Sequence, residues 1–383
     1  MQNIVSISKC EGYDYEEVRA AITSCVESLG GFEKFISPGD RVLIKPNLLT
    51  RKKPEDAVTT HPVFVEALAS LLIERGARAV IGDSPGGPFN AAMLNTVYKQ
   101  TGMEAAAAKS GASLNRNFKQ FTKENPRGAI MKRLTMSDMI NDADKIICAA
   151  KLKTHGMMTY SGAVKNMFGL VPGVAKMEYH MNMPSYDDFA DAMIDICLCA
   201  APVLSFIDGV VGMEGNGPSA GTPVDTKIIL ASQSPYHLDA AACKLIGLGI
   251  DKVPVLRRLA ARGMIKVDMS DIVYAGPDAQ KISVPRFKLP KSHGTDYKNE
   301  ANVPKPARKF ISRHVQTRPV FDKKACTGCG ICKDSCPAKI ISLKDKCAAA
   351  DYVKCIRCYC CQELCPQKCV TIKRPAISRL MRI

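Results

Sequence analysis

The sequence predicts a layered α/β domain with a largely parallel sheet, followed by a small α+β domain rich in cysteine. Across residues 1–278, apolar runs of strand length alternate with segments of helical period, as in a parallel sheet covered by helices. Residues 318–383 instead hold eleven of the 17 cysteines. A chain of 383 residues is also too long for one ordinary domain. Two unequal domains are therefore expected.

The elements of the large domain follow from apolar periodicity and from the turn residues between periodic segments. The predicted helices cover residues 15–30, 64–76, 91–108, 186–201 and 238–247. The predicted strands cover residues 41–49, 77–83, 144–152, 203–210, 227–232 and 270–276. This alternation indicates the fold class but leaves the order of the strands in the sheet open.

Polar or glycine-rich clusters follow four of these strands. They contain Lys45 with Asn47, Asp83 in the turn DSPGG, the lysines and histidine of 151–155, and Asp208 before a glycine-rich segment. Glycine, proline and aspartate also simply make turns. Ligands of open parallel sheets, however, bind beyond the carboxyl ends of the strands. We therefore expect Lys45, Asn47, Asp83 and Asp208 to bind substrate.

The segment KLKTHGMMTYSGAVKNMFGLVPG, residues 151–173, carries the strongest signal of a binding site. A predicted strand ends in lysines, and a helix then opens with Lys165 and Asn166 in its first turns. A helix N-terminus near lysines favours a phosphate or carboxylate, so we expect both residues to bind substrate. A single histidine is often structural, but the position of His155 beside Lys153 predicts a catalytic role for both. Neither a Walker loop nor a dinucleotide fingerprint is present.

Two copies of one cysteine spacing lie near the C-terminus. They read CTGCGICKDSCP at 326–337 and CIRCYCCQELCP at 355–366. Two-residue gaps let three thiolates wrap one face of a [4Fe–4S] cube, while the fourth, before proline, ligates the other cube. Two [4Fe–4S] clusters are therefore predicted. Their ligands are Cys326, Cys329, Cys332 and Cys365 for one, and Cys355, Cys358, Cys361 and Cys336 for the other.

Paired CxxC units also suit zinc, but a zinc site does not require two matched runs of this length. Cys347, Cys360 and Cys369 lie outside the pattern. We interpret them as packing residues or spare thiols, with the alternative that one of them substitutes as an iron ligand.

The net charge of +16 lies entirely in the C-terminal part of the chain. Residues 279–383 hold 23 Lys and Arg against 7 Asp and Glu, whereas residues 1–278 hold 30 of each. Part of this excess offsets the negative charge of thiolate-bound clusters. The rest predicts an acidic redox protein or another electron donor or acceptor as partner. Nucleic acid is disfavoured, because no nucleic-acid-binding motif or interleaved aromatic pattern is present.

Residues 279–317 are rich in Pro, Lys and Arg and are predicted to form a basic extended linker before the cluster domain at 318–383 with its basic tail. No stretch approaches the roughly 20 apolar residues that span a membrane. The opening residues lack the features of a secretory signal. The cysteines outside the cysteine-rich region are scattered along the chain, and we interpret them as reduced thiols. Together these features predict a cytoplasmic protein.

Residues 318–374 resemble a bacterial two-cluster ferredoxin module. The segments IKPNLLT, GDSPGG, KLKTHGMMTYSGAVKNMFGLVPG and FIDGVVGMEGNGPSAGTP together resemble, over about residues 2–275, the family catalogued as domain of unknown function 362. Members of that family often carry such a module at the C-terminus. The resemblance implies an α/β domain coupled to iron–sulfur redox chemistry, and it supplies no specific reaction.

Two classes of function are compatible with these features. In the first, an oxidoreductase passes electrons between the clusters and a small anionic substrate or cofactor in the α/β domain. In the second, an electron carrier or cofactor-assembly accessory protein has no substrate turnover of its own. Convergent Lys, His, Asp and Asn side chains favour the first class, since they suit a small-ligand pocket.

Overall fold

The computed structural model describes residues 3–173, 175–183, 185–279, 281–290, 292 and 316–373. The strands of the large domain are β1 Ile4–Lys9, β2 Arg41–Pro46, β3 Arg78–Ile81, β4 Ser113–Leu114, β5 Gln120–Glu124, β6 Arg133–Ser137, β7 Lys145–His155, β8 Thr159–Ser161, β9 Leu204–Glu214, β10 Thr222–Ser232 and β11 Val273–Ala275. Its helices are α1 Tyr15–Glu27, α2 Pro62–Ile73, α3 Ala91–Gln100, α4 Met103–Ser110, α5 Ala163–Asn166, α6 Ala175–Asn182, α7 Tyr186–Ala200, α8 Pro235–Leu245 and α9 Pro254–Ala261.

Nine strands form one mixed sheet in the order β11-β1-β10-β9-β7-β2-β3-β4, with β8 paired to β7. The strands from β9 through β4 are mutually parallel, whereas β10 is antiparallel to both β9 and β1. The prediction of a largely parallel α/β sheet is confirmed. Since β2, β3, β7 and β9 run in the same direction, the polar clusters in and after these strands lie toward one edge of the sheet.

Side chains of the sheet alternate between two hydrophobic layers, as the two-residue period of a strand requires. In β7, Ile146 and Cys148 face one layer, whereas Ile147 and Ala149 face the other. Helices α5 to α9 contribute to the first layer and α1 to α4 to the second. Several helices begin at a polar cap; for example, the Asp14 side chain accepts a hydrogen bond from Glu17 N.

The structure corrects the predicted elements in several places. The helix predicted at 91–108 is two helices, because Gly102 adopts a left-handed backbone with φ of 76° between α3 and α4. The sequence did not predict strands β1, β4 and β8, the β5–β6 hairpin, or helices α6 and α9. Strands β7, β9 and β10 extend several residues beyond their predicted bounds. These extensions carry the polar sheet edge farther out than the sequence indicates.

The cysteine-rich domain is small and built from short elements: β12 Arg318–Phe321, α10 Ile331–Asp334, β13 Ile341–Lys344, β14 Cys347–Ala350, α11 Cys360–Glu363 and β15 Val370–Lys373. β12 pairs antiparallel with β15, and β13 with β14. Its core contains Cys336, Cys361, Cys365 and Cys369 together with a few aliphatic side chains. The predicted α+β class is confirmed.

Most of the predicted linker, residues 293–315, lies outside the described residues. The described part at 281–290 has neither helix nor strand and lies along the large domain. Phe287 is buried, with its N–H bonded to Ile246 O at 3.0 Å, and Lys288 N donates to Glu214 Oε2 at 2.9 Å. Within the described part of the chain, no helix is both long and apolar enough to cross a membrane.

Candidate functional site

The two cysteine runs face two separate small cavities. One cavity is lined by Cys326, Cys329, Cys332 and Cys365, and the other by Cys355, Cys358, Cys361 and Cys336. In each case the fourth cysteine comes from the opposite run. Four thiols around one space are the donor set that a [4Fe–4S] cube requires, so the residues present fit this cofactor. Cys369, outside the pattern, also lines the first cavity, with its Sγ 3.4 Å from Cys365 Sγ.

The backbone of the two runs is bent at equivalent positions. Gly328 and Gly330 have φ of 68° and 81°, and their counterparts Arg357 and Tyr359 have φ of 58° and 60°. Left-handed backbone suits glycine and costs a side-chain-bearing residue about 1–2 kcal/mol. Arg357 is fixed by hydrogen bonds from its guanidinium to Cys355 O and Thr317 O, at 2.6 and 3.2 Å. The repeated bends let each loop turn its cysteines toward one cavity.

At the sheet edge, residues from three segments form one hydrogen-bonded group. Lys45 Nζ lies 2.9 Å from Asp83 Oδ1 and donates to Asn166 Oδ1 at 2.8 Å. Asn47 Nδ2 donates to the same Asn166 oxygen at 3.3 Å. Four of the six predicted substrate-binding residues, from β2, the loop after β3 and α5, are thus in direct contact.

Lys153 contacts this group from the interior of the large domain. Its ammonium donates to Asn47 Oδ1 and to Val58 O, each at 2.7 Å. Burial, followed by the charge of Lys165, holds the pKa of Lys153 well below its usual range. The side chain therefore orients Asn47 from the interior of the domain.

His155 connects the sheet edge to the cysteine-rich domain. Its Nδ1 accepts hydrogen bonds from the N–H groups of Met157 and Met158, at 3.1 and 3.2 Å. Its Nε2 lies 2.9 Å from Glu363 Oε1. Burial, and then the charge of Lys165, lower the pKa of His155 to about 4. Burial works to raise the pKa of Glu363, but its contact with His155 and the charge of Lys165 lower it to about 2.

Asp208 belongs to a different cluster. Its carboxylate lies 2.9 Å from Lys151 Nζ and accepts hydrogen bonds from Tyr13 OH at 2.7 Å and from His61 N at 2.9 Å. The rings of Tyr13 and His61 are stacked at 3.5 Å. Asp208 thus holds β7, β9 and the start of α2 together.

The N-terminus of α5, which the sequence indicated as an anion site, is occupied by a carboxylate of the same chain. Asp239 accepts hydrogen bonds from Ala163 N at 2.6 Å and Val164 N at 2.9 Å. The predicted anion-binding role of Lys165 and Asn166 therefore depends on their side chains and not on this helix terminus.

A cavity of about 280 Å³ lies between the sheet edge and the cysteine-rich domain. Five of the predicted substrate-binding residues line it, whereas Lys153, His155 and Asp208 do not. From the large domain its lining includes Lys45, Asn47, Asp83, Lys165, Asn166, Phe168, Lys176, Met177 and His180. From the cysteine-rich domain it includes Asp334, Ser335, Cys360, Glu363 and Leu364. Both domains are thus needed to form the cavity.

Lys176, on α6, was not identified from the sequence. Its Nζ donates to Ser84 O and lies 3.4 Å from both Ser84 Oγ and Pro85 O. Desolvation, together with the charges of Lys45 and Lys165, outweighs the attraction of Asp83 and lowers the pKa of Lys176 to about 7. Helix α6 lacks the apolar periodicity that reveals the other helices, so no sequence signal pointed to this lysine.

The cavity is lined by three lysines and three carboxylates. The lysines are Lys45, Lys165 and Lys176, and the carboxylates are those of Asp83, Asp334 and Glu363. Since Lys45 is paired with Asp83, the lysines 165 and 176 are those that can bind an anionic group of a ligand. Apolar side chains such as Phe168, Met177 and Leu364 complete the wall. This combination suits a small organic anion with an apolar part.

The cysteine-rich domain is held against the sheet edge by direct contacts. Gln362 Nε2 donates to Asn216 O at 3.0 Å, and Lys368 Nζ lies 2.8 Å from Asp56 Oδ1. Gly86, in the DSPGG turn, is approached so closely that a Cβ there would lie 2.7 Å from Leu364 Cδ2. The glycine of this turn therefore permits the close approach of α11.

Comparisons with known proteins agree with this architecture. The model of the family described as domain of unknown function (DUF362) matches residues 42–244, just over half of the chain. A 4Fe-4S dicluster domain matches residues 318–366. The second match indicates iron–sulfur clusters and electron transfer, as the cysteine spacing predicts, and both matches confirm the resemblances seen in the motifs.

A thylakoid-associated protein of Synechocystis sp. is 29% identical over 293 residues, which cover 76% of this chain and 89% of that protein. The solved structure of the lactate racemase apoprotein from Thermoanaerobacterium thermosaccharolyticum aligns with a TM-score of 0.42 at 12% identity. That alignment covers 64% of this chain and 57% of the racemase, so the chain spans less than two thirds of the racemase.

Proposed function

We propose that this chain, which belongs to the DUF362 family, is an oxidoreductase that exchanges electrons between two [4Fe–4S] clusters and a small anionic molecule. The observation that carries this proposal is the cavity of about 280 Å³ lined jointly by the sheet edge and the cysteine-rich domain. Bound clusters supply single-electron transfer. A ligand in this cavity lies against the domain that holds them.

Lys165 and Lys176 bind the anionic group of the ligand in this proposal, because the third lysine of the cavity, Lys45, is already paired with Asp83. A charge-assisted contact in a partly desolvated site is stronger than one in water. Asn47 and Asn166 offer amide groups that fix the orientation of the ligand.

Lys153 and His155, predicted as catalytic, act through their neighbours in this proposal. Lys153 positions Asn47, and His155 positions Glu363, whose carboxylate faces the cavity. They are therefore positioning residues for the ligand site.

Wall residues of the cavity also connect it to the cysteine loops. Cys360 lines the cavity and directly precedes Cys361, a proposed ligand of the second cluster. Ser335, also in the wall, directly precedes Cys336 of the same ligand set. Two residues of the cavity wall are thus each adjacent in sequence to a proposed ligand of that cluster.

The proposal requires that the protein bind a small molecule of its own. We expect protein purified without oxygen to release, on denaturation, about one equivalent of an organic anion detectable by mass spectrometry. The cysteine-rich domain expressed alone, residues 316–383, serves as control for molecules bound elsewhere. Protein that carries its clusters but neither releases nor binds any anion would favour the alternative of an electron carrier or assembly protein.

A further inference from the structure

The two proposed cluster sites differ in their exposure. Cys329, in the first set, is exposed, and Cys326 and Cys332 are half-buried. In the second set Cys355 is half-buried and the other three are at most 9% exposed, as is Cys365 of the first set at 7%. A redox protein must bring its own cofactor close to a cluster, and the first set offers the more open approach, through Cys329.

Part of the loop that carries the second set packs against the large domain. Tyr359, which follows Cys358, belongs to the hydrophobic layer formed with α5 to α9 and is 2% exposed. Cys360, next in the chain, lines the cavity. We name the cluster of Cys336, Cys355, Cys358 and Cys361 the inner cluster and the cluster of Cys326, Cys329, Cys332 and Cys365 the outer cluster.

Exposed lysines lie on the loops and the hairpin that carry or border the ligands of the outer cluster. Lys333 directly follows Cys332, the backbone of Lys346 lies against Gly328, and Lys344 pairs with Cys347 across the β13–β14 hairpin. Leu343, 40% exposed, lines the same cavity as Cys329. The lysine face, as we define it, consists of Lys323, Lys324, Lys333, Lys344 and Lys346.

The positive charges of the lysine face are available to bind an acidic partner. Among the residues that the structure describes, none of its five lysines forms an ion pair, although Asp322, Asp334 and Asp345 lie on the same segments. A solvated lysine face is a common surface feature. Here it borders an apolar side chain and an exposed cluster ligand, and such complementary charge accelerates association.

We propose that an acidic redox protein docks on the lysine face and exchanges electrons with the outer cluster, leaving the inner cluster to serve the cavity. This inference rests on the proposed function, since it uses the same two clusters. In the reducing direction, one electron leaves the reduced partner and the outer cluster gains it. The transfer forms or breaks no bond and moves no proton.

The test is the rate at which a reduced bacterial flavodoxin, an acidic redox protein, reduces the clusters in anaerobic stopped-flow experiments. In Lys323→Glu/Lys346→Glu we expect this rate to fall at least about tenfold at low ionic strength, and we expect the difference from wild type to shrink in high salt. Reduction by photoreduced deazaflavin, a small molecule that needs no docking, should be unchanged.

The matched control is Lys99→Glu/Lys266→Glu, which makes the same charge change at exposed positions of the large domain. If this control slows flavodoxin equally, or if the lysine-face variant is as fast as wild type, the docking proposal is wrong. If Lys323→Glu/Lys346→Glu loses its clusters, the charge-neutralising variant Lys323→Gln/Lys346→Gln is measured in its place. The assay contains no cavity ligand, so failure here leaves the proposal for the cavity intact.

Discussion

Replacing Cys336 by Ala should remove the inner cluster and leave the outer one in place. About four of eight irons should be lost, with a matching loss of acid-labile sulfide. The reason is geometric: Cys336 is the last cysteine of the first run in sequence but lines the same cavity as three cysteines of the second run. Iron and sulfide analysis of anaerobically prepared protein, combined with electron paramagnetic resonance of the reduced state, checks this expectation.

Three further variants test which cysteines bind which cluster. Cys355→Ala removes a proposed inner-cluster ligand and Cys326→Ala an outer one. The spectrum of Cys336→Ala should match that of Cys355→Ala and differ from that of Cys326→Ala. Cys347→Ala, at a cysteine that lines neither cavity, should retain both clusters. A Cys336→Ala spectrum that matches Cys326→Ala would show that each run binds its own cluster.

Replacing Lys176 by Ala should weaken binding of a small organic anion by about 10- to 150-fold. This corresponds to the roughly 1.5–3 kcal/mol that a hydrogen bond to a charged group contributes. Isothermal titration with the anion released from the wild-type protein, or with a series of small carboxylates and phosphates, measures the change. Lys99→Ala, at an exposed lysine on α3, controls for the loss of one positive charge.

The same lysine predicts a dependence of anion affinity on pH. Lys176 has a pKa of about 7, so it is protonated below this pH and neutral above it. The charged groups that face it are Asp83, Lys45 and Lys165. We therefore expect the affinity of wild type to fall as the pH rises from about 6 to about 8, and Lys176→Ala to lose most of this dependence. Equal pH dependence in both proteins would exclude Lys176 as the anion-binding group.

Local sequence patterns predicted much of the architecture, because each pattern reflects a local physical requirement. The cysteine spacing indicated the composition of both thiol sets, since two-residue gaps restrict which thiols can face one cube. The strand-end residues Lys45, Asn47 and Asp83 could be placed on one edge because parallel strands end together. These inferences did not depend on knowing how distant segments pack.

Other parts of the site could not be predicted, because they depend on contacts between segments far apart in the chain. In the sequence Glu363 is an ordinary polar residue of a cysteine-rich loop, yet in the structure it lines the cavity and contacts His155. Lys176 lies on a helix without apolar periodicity. Asp239, 76 residues after Ala163, accepts hydrogen bonds from the helix N-terminus that the sequence had indicated as a site for an external anion.

Whether the cavity ligand exchanges electrons with the clusters can be decided by one kinetic measurement. The clusters are reduced with deazaflavin under anaerobic conditions, and the small molecule released from purified protein, or its oxidised form, is added back while cluster absorbance is followed. We expect ligand-dependent oxidation of the clusters in wild type and its loss at the same ligand concentration in Lys165→Ala/Lys176→Ala, with cluster content unchanged. Clusters that stay reduced in wild type, or that reoxidise equally fast in the double variant, would contradict electron exchange through this cavity.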